Sequence, residues 1–402
     1  MNHRERVLTA LSHEEPDRVP IDLGATQVSG IMAIAYQEFR EYLGLGPGIT
    51  RVMDIYQQTA LIEQDMRELL DLDTLPIFQE PNEWQDGTLA NGAEAKFPAK
   101  FNPQIQEDGS RIVLDANGNI KLKMPSGGHY YDFVHMPLSD ATSITDIETC
   151  MDEIEKNDEP EHLDKDYTEL AAKAKRLREE TDYLLTGYFG GHIMYTAQSL
   201  RGWDTFLLDL LINEKLARAL MEKLVEAHFR RIDRFASTIG KYVDVVEFDE
   251  DLGMQDRTLM RPSLYRKMLK PYQKRMFEYA KSKCDAYILF HSDGAIAPFF
   301  PDFVEMGIDI VNPIQVSADG MDTQTLKKEF GDDITFWGGT CDTQETLPFG
   351  SPEEVVDEVK RRIDDLAPGG GFVFAPVHNI QIGVPCQNIE ALFETAKTYG
   401  SY

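Results

Sequence analysis

The sequence predicts a (β/α)₈ barrel that carries an insertion after its second strand. Eight short apolar runs are spaced along the 402 residues, and segments of helical periodicity separate most of them. Repeated strand–helix units imply parallel strands joined by right-handed crossovers, and eight such strands close a barrel. An open, doubly wound sheet is the alternative fold, but no GxGxxG motif follows the first run.

The elements follow in order along a single domain, residues 1–402. Residues 31–43 and 54–70 carry helical periodicity between the first two strands. From 79 to 136, Gly, Asn, Asp and Pro punctuate short alternating segments, which predicts β-hairpins inserted into the barrel. An insertion after a strand lies at the catalytic end of a barrel, so we expect it to cover the mouth or contact a partner. The predicted strands are residues 19–23, 75–78, 183–188, 242–248, 286–291, 308–312, 334–339 and 372–377.

Composition excludes several classes of function. The net charge of −29 predicts a surface that repels nucleic acid and anionic membranes. No apolar run approaches the roughly 20 residues of a membrane span, and the N-terminal residues lack a signal-peptide core. The four cysteines are scattered without a CxxC pair, so no disulfide framework is expected. We therefore expect a cytoplasmic protein.

Several predicted strands end in residues that carry chemistry. The run 285–294 stops at His291 and Asp293, which point to the same side of an extended backbone. Three other runs end in the same manner, with Glu247, Cys341 and His378. Because parallel strands of a barrel present their carboxyl ends at one face, these side chains are expected to share a site.

Several stretches of the chain resemble the uroporphyrinogen decarboxylase superfamily, and the resemblance runs over most of the sequence in a specific order. It implies a (β/α)₈ barrel, in agreement with the strand count. The superfamily contains porphyrinogen decarboxylases and zinc-dependent methyltransferases that work with corrinoid proteins. The resembling stretches are Leu200–Asp204, Asp251–Gly253, Phe290–Gly294, Gly307–Gln315, Met321–Thr323, Gly338–Gly339, Pro368–Gly371 and His378–Gln381.

Two departures from the pattern of the decarboxylases favour the methyltransferase branch. The decarboxylases carry paired arginines after the first strand, but residues 22–30 contain no arginine here. They also carry an aspartate after the second strand, where residues 77–81 read Ile-Phe-Gln-Glu-Pro. The methyltransferases place a His-x-Cys pair after one strand and a cysteine after a later one. His291, Asp293 and Cys341 stand at those places, with aspartate replacing the first cysteine.

The resemblance implies a zinc site. Zinc accepts imidazole, thiolate and carboxylate ligands and keeps an open position in catalytic sites. The implied ligand set is His291, Cys341 and one carboxylate, with Glu247 as first choice and Asp293 as second. The alternative is that His291 orients a loop by hydrogen bonds and Cys341 packs as a small apolar residue.

Other residues are expected to line the same pocket. His378 would bind substrate or protonate a leaving group, and the alternative is a histidine satisfied by backbone groups. Tyr188, Asn312 and Asn379 are candidate substrate contacts, whereas Trp337 is expected in the core. Aromatic residues near the mouth favour an aromatic substrate. They are Tyr183, Tyr188, Phe189 and Tyr195.

These expectations combine into a function. The Asp-x-His-x-x-Gly signature of cobalamin-binding modules is absent, so the corrinoid is expected on a partner protein that docks over the mouth. The predicted activity is zinc-dependent methyl transfer from a methoxylated aromatic compound to the Co(I) corrinoid of that partner. The alternatives are a methylcorrinoid:thiol methyltransferase of the coenzyme M type, a divergent decarboxylase and a non-catalytic binding protein. The oligomeric state is open, with a homodimer as one option.

Overall fold

The structure is a computed structural model that describes residues 1–46, 48–78, 80–81, 83–115, 118–150 and 167–402. Its described strands are β1 (Val52–Asp54), β2 (Thr59–Ala60), β3 (Thr74–Ile77), β4 (Trp84–Thr88), β5 (Glu94–Pro98), β6 (Gln104–Ile105), β7 (Arg111–Leu114), β8 (Ile120–Met124), β9 (Asp132–Phe133), β10 (Leu184–Gly190), β11 (Val245–Asp249), β12 (Tyr287–His291), β13 (Ile310–Asn312), β14 (Thr335–Trp337) and β15 (Phe372–Val373).

Helices separate most of the barrel strands. The described helices are α1 (His3–Leu11), α2 (Ala33–Tyr42), α3 (Gln64–Leu69), α4 (Ile144–Thr149), α5 (Tyr167–Glu180), α6 (Met194–Arg201), α7 (Trp203–Ile212), α8 (Glu214–Phe235), α9 (Pro262–Met268), α10 (Lys270–Lys283), α11 (Phe300–Met306), α12 (Thr323–Phe330), α13 (Thr346–Phe349), α14 (Pro352–Leu366) and α15 (Cys386–Tyr399). Within the described ranges, no helix combines the length and the apolar composition needed to cross a membrane.

Seven strands form one parallel sheet in the order β15-β14-β13-β12-β11-β10-β3. The segment around Ile21 closes the ring between the two ends of this sheet. Ile21 bridges Phe374 in parallel, and the amide of Asp73 donates to the carbonyl of Ile21 at 2.8 Å. The (β/α)₈ barrel predicted from the sequence is therefore confirmed, although the predicted first strand, residues 19–23, is reduced to the single bridge at Ile21.

The barrel interior is a packed core with few polar groups. Alternate residues of each strand point inward, and this inner cluster includes Val245, Leu289 and Trp337. The indole Nε1 of Trp337 donates to Asp22 Oδ2 at 2.9 Å, which confirms Trp337 as a core residue. A larger apolar cluster lies between the sheet and the surrounding helices. Because both faces of the sheet are packed, only the strand ends are left to form a site.

The segment 79–136 contains two small antiparallel sheets, although residues 79, 82, 116 and 117 lie outside the described ranges. Strands β4 and β5 form a hairpin, and β6 to β9 form a four-stranded meander. The turn between β8 and β9, residues 125–131, is the last turn of the inserted segment and reaches the barrel mouth. Tyr130 donates from its hydroxyl to Gln381 Oε1 at 2.7 Å, and the amide of Tyr131 donates to the carbonyl of Tyr56 at 3.0 Å.

Two local predictions are wrong. Residues 54–70 do not form one helix, because β1 and β2 pair as a hairpin whose turn places Gln58 at φ 56°, and only α3 is helical. Tyr183 precedes β10 and lies at the opposite end of the barrel from the mouth. Its ring stacks on His3 with centroids 4.8 Å apart, since the start of a parallel strand lies far from the carboxyl end.

Candidate active site

A cavity of about 530 Å³ opens at the carboxyl ends of the barrel strands. Its walls come from strand ends, from the turn after β1, from the last turn of the inserted segment and from helices α5, α6 and α8. This volume is that of a small-molecule pocket. Many of its lining residues carry aromatic rings, namely Tyr56, Phe78, Tyr130, Tyr131, Phe133, Tyr167, Tyr188, Phe189, Tyr195 and Phe235.

His291 ends β12 and points one ring nitrogen into the cavity. Its other nitrogen, Nδ1, lies 2.7 Å from Asn312 Oδ1, and the Asn312 amide nitrogen donates to the carbonyl of Trp337 at 2.8 Å. Since Asn312 uses its nitrogen on that carbonyl, its oxygen must accept and His291 Nδ1 must carry the proton. His291 Nε2 is then left with a lone pair that faces the cavity. Asn312, a candidate substrate contact, instead orients the imidazole.

His291, Asp293 and His378 form the one group among the described residues whose ligand atoms lie close enough to hold a metal ion together, all within 4.8 Å of one another. Asp293 Oδ2 lies 3.9 Å from His291 Nε2 and 3.8 Å from His378 Nε2. Burial opposes the charge on His291, yet the nearby carboxylates of Asp293 and Asp251 raise its pKa above the ordinary value. For His378, burial lowers the pKa despite the same carboxylates.

Glu247 does not join this group. It lies on β11 facing the barrel interior, and its two carboxylate oxygens accept from the backbone amide of Gln27 at 3.1 and 3.2 Å. Burial, assisted by the charge of Asp249, raises the pKa of Glu247 well above its usual range. The carboxyl therefore holds the loop after the first strand beneath the cavity.

Cys341 lies apart from the three clustered side chains. Its thiol donates to Glu358 Oε2 at 3.6 Å, on helix α14, so it faces the helical layer. Burial and the Glu358 carboxylate raise the pKa of this thiol above its ordinary value. A buried thiol beside a carboxylate is poorly suited to ionise as a metal ligand.

Asn379 holds a loop, and Tyr188 lines the cavity wall. Asn379 Oδ1 accepts from the amide of Gly30 at 2.6 Å, and its nitrogen donates to Gln27 and Gln57 at 3.0 and 2.8 Å. Its polar groups are thus used within the protein. The hydroxyl of Tyr188 donates to Asp249 Oδ2 at 3.2 Å.

Two further acidic residues line the wall, and the sequence reasoning did not single out the first of them, Asp249. Asp249 lies 2.9 Å from His192 Nε2, and although burial disfavours its charge, His192 lowers its pKa. It alternates with Glu247 along β11, a pattern that was enough to place it at the mouth. Glu250 accepts from the three backbone amides at the start of α6, of Ile193, Met194 and Tyr195, at 2.7–2.8 Å. Burial raises its pKa to about 7.

Asp54, Tyr130 and Tyr195 also face the cavity. Asp54 is 8 % exposed, and burial raises the pKa of its carboxyl to about 6. Its position carries no local signal, because the helical periodicity of residues 54–70 hides the end of β1. Tyr130 reaches the mouth only through the folding of the inserted segment, which no periodicity in the sequence reveals.

Comparison with known proteins places this geometry in a family. The family model described as uroporphyrinogen decarboxylase (URO-D) matches residues 134–399. The chain belongs to this family. A search of the curated proteins finds no match. Among solved structures, a methyltransferase from Methanosarcina mazei superposes with a TM-score of 0.61 at 15% identity, covering 99% of each chain, which supports the family's barrel fold.

Other solved structures match less well. Xylanase B from Clostridium stercorarium F9 gives a TM-score of 0.32 at 15% identity, covering 51% of this chain and 71% of the xylanase. Endo-glycoceramidase II from Rhodococcus sp. gives 0.35 at 13% identity, covering 71% and 79% of the two chains. Similarity at this level carries no argument about function.

Proposed function

We propose that this protein is a metal-dependent methyltransferase that moves a methyl group from a methoxylated aromatic donor to the Co(I) corrinoid of a partner protein. The observation that carries the proposal is the convergence of His291, Asp293 and His378 at the edge of an aromatic cavity. Full-length superposition on the methyltransferase from Methanosarcina mazei supports the same branch of the family.

The three side chains fit a divalent ion such as zinc. Two imidazoles and one carboxylate are a common ligand set for catalytic zinc and leave a coordination position open. Asn312 fixes the His291 tautomer that presents Nε2, and such partners are a regular feature of metal-binding histidines. The lowered pKa of His378 keeps its imidazole neutral near pH 7, which favours a role as ligand over one as proton donor. Glu247 and Cys341 are left out of the proposed set.

The remaining residues would orient the donor. Aromatic side chains, among them Tyr188 and Tyr195, would pack against its ring, and tyrosine hydroxyls would bond its substituents. A bound divalent ion would polarise the ether oxygen and stabilise the leaving phenolate. In the proposed transfer, the bond between the ether oxygen and the methyl carbon would break with its electron pair staying on the oxygen, and the Co(I) corrinoid, as the second substrate, would supply the pair for the new bond to the methyl carbon.

The charge of the cavity argues against the rival functions. The carboxylates of Asp249, Asp251 and Asp293 line it, and residues 22–30 contain no arginine. The two arginines that line the cavity lie against the rings of Phe189 and Tyr167, so a polycarboxylate porphyrinogen would meet more carboxylates than cations. A sulfonated thiol acceptor of the coenzyme M type would meet the same repulsion. A neutral or cationic donor is compatible with this wall.

The test is an anaerobic assay of the metal-loaded protein with methoxylated aromatic donors and a Co(I) corrinoid protein. We expect formation of the phenol together with the absorption change of a methylated corrinoid. The His291→Ala variant should bind less metal and lose transfer, whereas a surface control, Asp86→Asn, should retain both; the Asp86 side chain is 89% exposed. Phenol formation unaffected by His291→Ala would refute the proposed centre. Decarboxylation of uroporphyrinogen by the wild-type protein would favour the divergent decarboxylase.

A further inference from the structure

The lining of the cavity carries more negative than positive charge. Six of its described lining residues are carboxylic acids and two are arginines. Glu250 is occupied by three backbone amides and Asp249 is paired with His192. Both arginines stack on aromatic rings of the outer wall, Arg231 over Phe189 and Arg234 over Tyr167, at 4.9 Å from each ring centroid.

Asp54 is a buried carboxylate of this wall that lacks a cationic neighbour among the described residues. It is more than nine-tenths buried, and Oδ1 accepts from the backbone amide of Tyr56 at 2.7 Å. No lysine, arginine or histidine of the described residues lies within ion-pair distance of it. Burial and the repulsion from Asp249 both raise its pKa, so a cation bound here would relieve an unfavourable charge.

Aromatic rings surround the same space. Burial raises the pKa values of three tyrosine hydroxyls, and the negative charge of Asp54 raises them further. These tyrosines are Tyr130, Tyr188 and Tyr195. The charge of Asp293 also raises the pKa of Tyr130. Asp54 and Asp293, which is a proposed metal ligand, line the same cavity. Aromatic faces beside a carboxylate are a recurring environment for organic ammonium groups.

We propose that the methyl donor is a methoxylated aromatic amine whose ammonium group binds beside Asp54 while its ether oxygen faces His291 and Asp293. The inference rests on the proposed function and narrows its substrate class. An ammonium would replace the missing counter-ion of Asp54, whereas the carboxylate of a methoxylated aromatic acid would add a further anion to this wall. The ring between the two groups would lie among the tyrosines.

The test measures binding separately from methyl transfer. The metal-loaded protein is titrated calorimetrically with three compounds that share one methoxyphenol ring and differ only in the end of a two-carbon side chain: ammonium, hydroxyl or carboxylate. We expect the ammonium compound to bind about tenfold more tightly than the alcohol, and the carboxylate compound to bind most weakly. Asp54→Asn keeps an acceptor for the Tyr56 amide and should remove the preference for the amine. Asp86→Asn, which deletes the same charge from an exposed strand, should leave it intact.

The outcomes separate this inference from the proposed function. Equal or tighter binding of the alcohol or the carboxylate compound to the wild-type protein would overturn the inference. A loss of affinity that is equal for all three compounds in Asp54→Asn would also overturn it, since Asp54 would then only shape the cavity. Preferential binding of the amine without transfer from any donor would support amine recognition and refute methyl transfer. Transfer from the carboxylate compound but not from the amine would support methyl transfer and refute amine recognition.

Discussion

Replacement of Asn312 tests the proposed metal centre without touching a ligand. The change Asn312→Leu removes the oxygen that accepts from His291 Nδ1 at 2.7 Å and the nitrogen that donates to the Trp337 carbonyl at 2.8 Å. The leucine side chain has a similar volume, so the site keeps its packing while the imidazole loses its orientation. We expect metal binding to weaken although all three ligands are present.

The size of the effect follows from the two hydrogen bonds that this substitution removes. Partners that orient a metal-bound histidine typically contribute about 10- to 100-fold in metal affinity, or about 1.4–2.7 kcal/mol. His291 Nδ1–H would be left buried without its acceptor, because the residue is 5% exposed. Loss of a buried partner also costs about 1–3 kcal/mol of folding stability. The fold should therefore survive with a lower unfolding midpoint.

Zinc affinity can be measured by competition with a chromophoric chelator, with circular dichroism as the check on folding. Asn312→Asp is the matched control, because its carboxylate still accepts from His291 Nδ1 and should retain most of the affinity. His378→Ala deletes a proposed ligand and should bind more weakly than Asn312→Leu. Wild-type zinc affinity in a folded Asn312→Leu protein would refute the argument that His291 is positioned for a metal.

Three further predictions concern residues around the site. Cys341→Ala should retain full zinc content, because the thiol contacts Glu358; loss of zinc on dialysis against a weak chelator would return Cys341 to the ligand set. Asp54→Asn should be more stable to unfolding than the wild type near pH 8, by up to about 3 kcal/mol. The pKa of the Asp54 carboxyl rises from 3.8 to about 6 on folding, so this carboxyl stabilises the folded wild type fully below pH 3.8 and loses that contribution as the pH rises through 6. Urea unfolding from pH 4 to 8 measures the difference, and parallel curves for the two proteins would contradict it. Arg201→Met should lower the free energy of unfolding by about 3–5 kcal/mol, because it leaves the carboxylate of Asp209, which is 2% exposed, without the guanidinium that lies 2.7 Å away. A loss below about 1 kcal/mol in denaturant unfolding would show that this ion pair contributes little to stability.

The barrel was predictable because its signal is repeated along the chain. Each strand is a short apolar run that ends in polar residues, and the ends of β11, β12 and β14 were placed at the correct face from that pattern alone. The pairing of His291 with Asp293 followed from strand alternation. His378 follows the short strand β15, and its approach to both residues follows from barrel closure.

The features of the site that the sequence did not predict depend on contacts between segments that are distant along the chain. The outward direction of Cys341 is decided by its packing against α14, and its position after a strand does not reveal it. Asp54 belongs to a hairpin that a helical periodicity masked, and Tyr130 reaches the mouth from the inserted sheet. Neither residue carries a motif. Asp54 and Tyr130 become parts of one site only because the inserted segment and the barrel together form the wall of the cavity.

X-ray absorption spectroscopy of the zinc-loaded protein tests the central claim most directly. A centre built from His291, Asp293 and His378 predicts nitrogen and oxygen scatterers at about 2.0–2.2 Å, with imidazole outer shells and no sulfur. A sulfur scatterer at about 2.3 Å that disappears in Cys341→Ala would contradict the proposed ligand set and restore the thiolate site implied by the family resemblance.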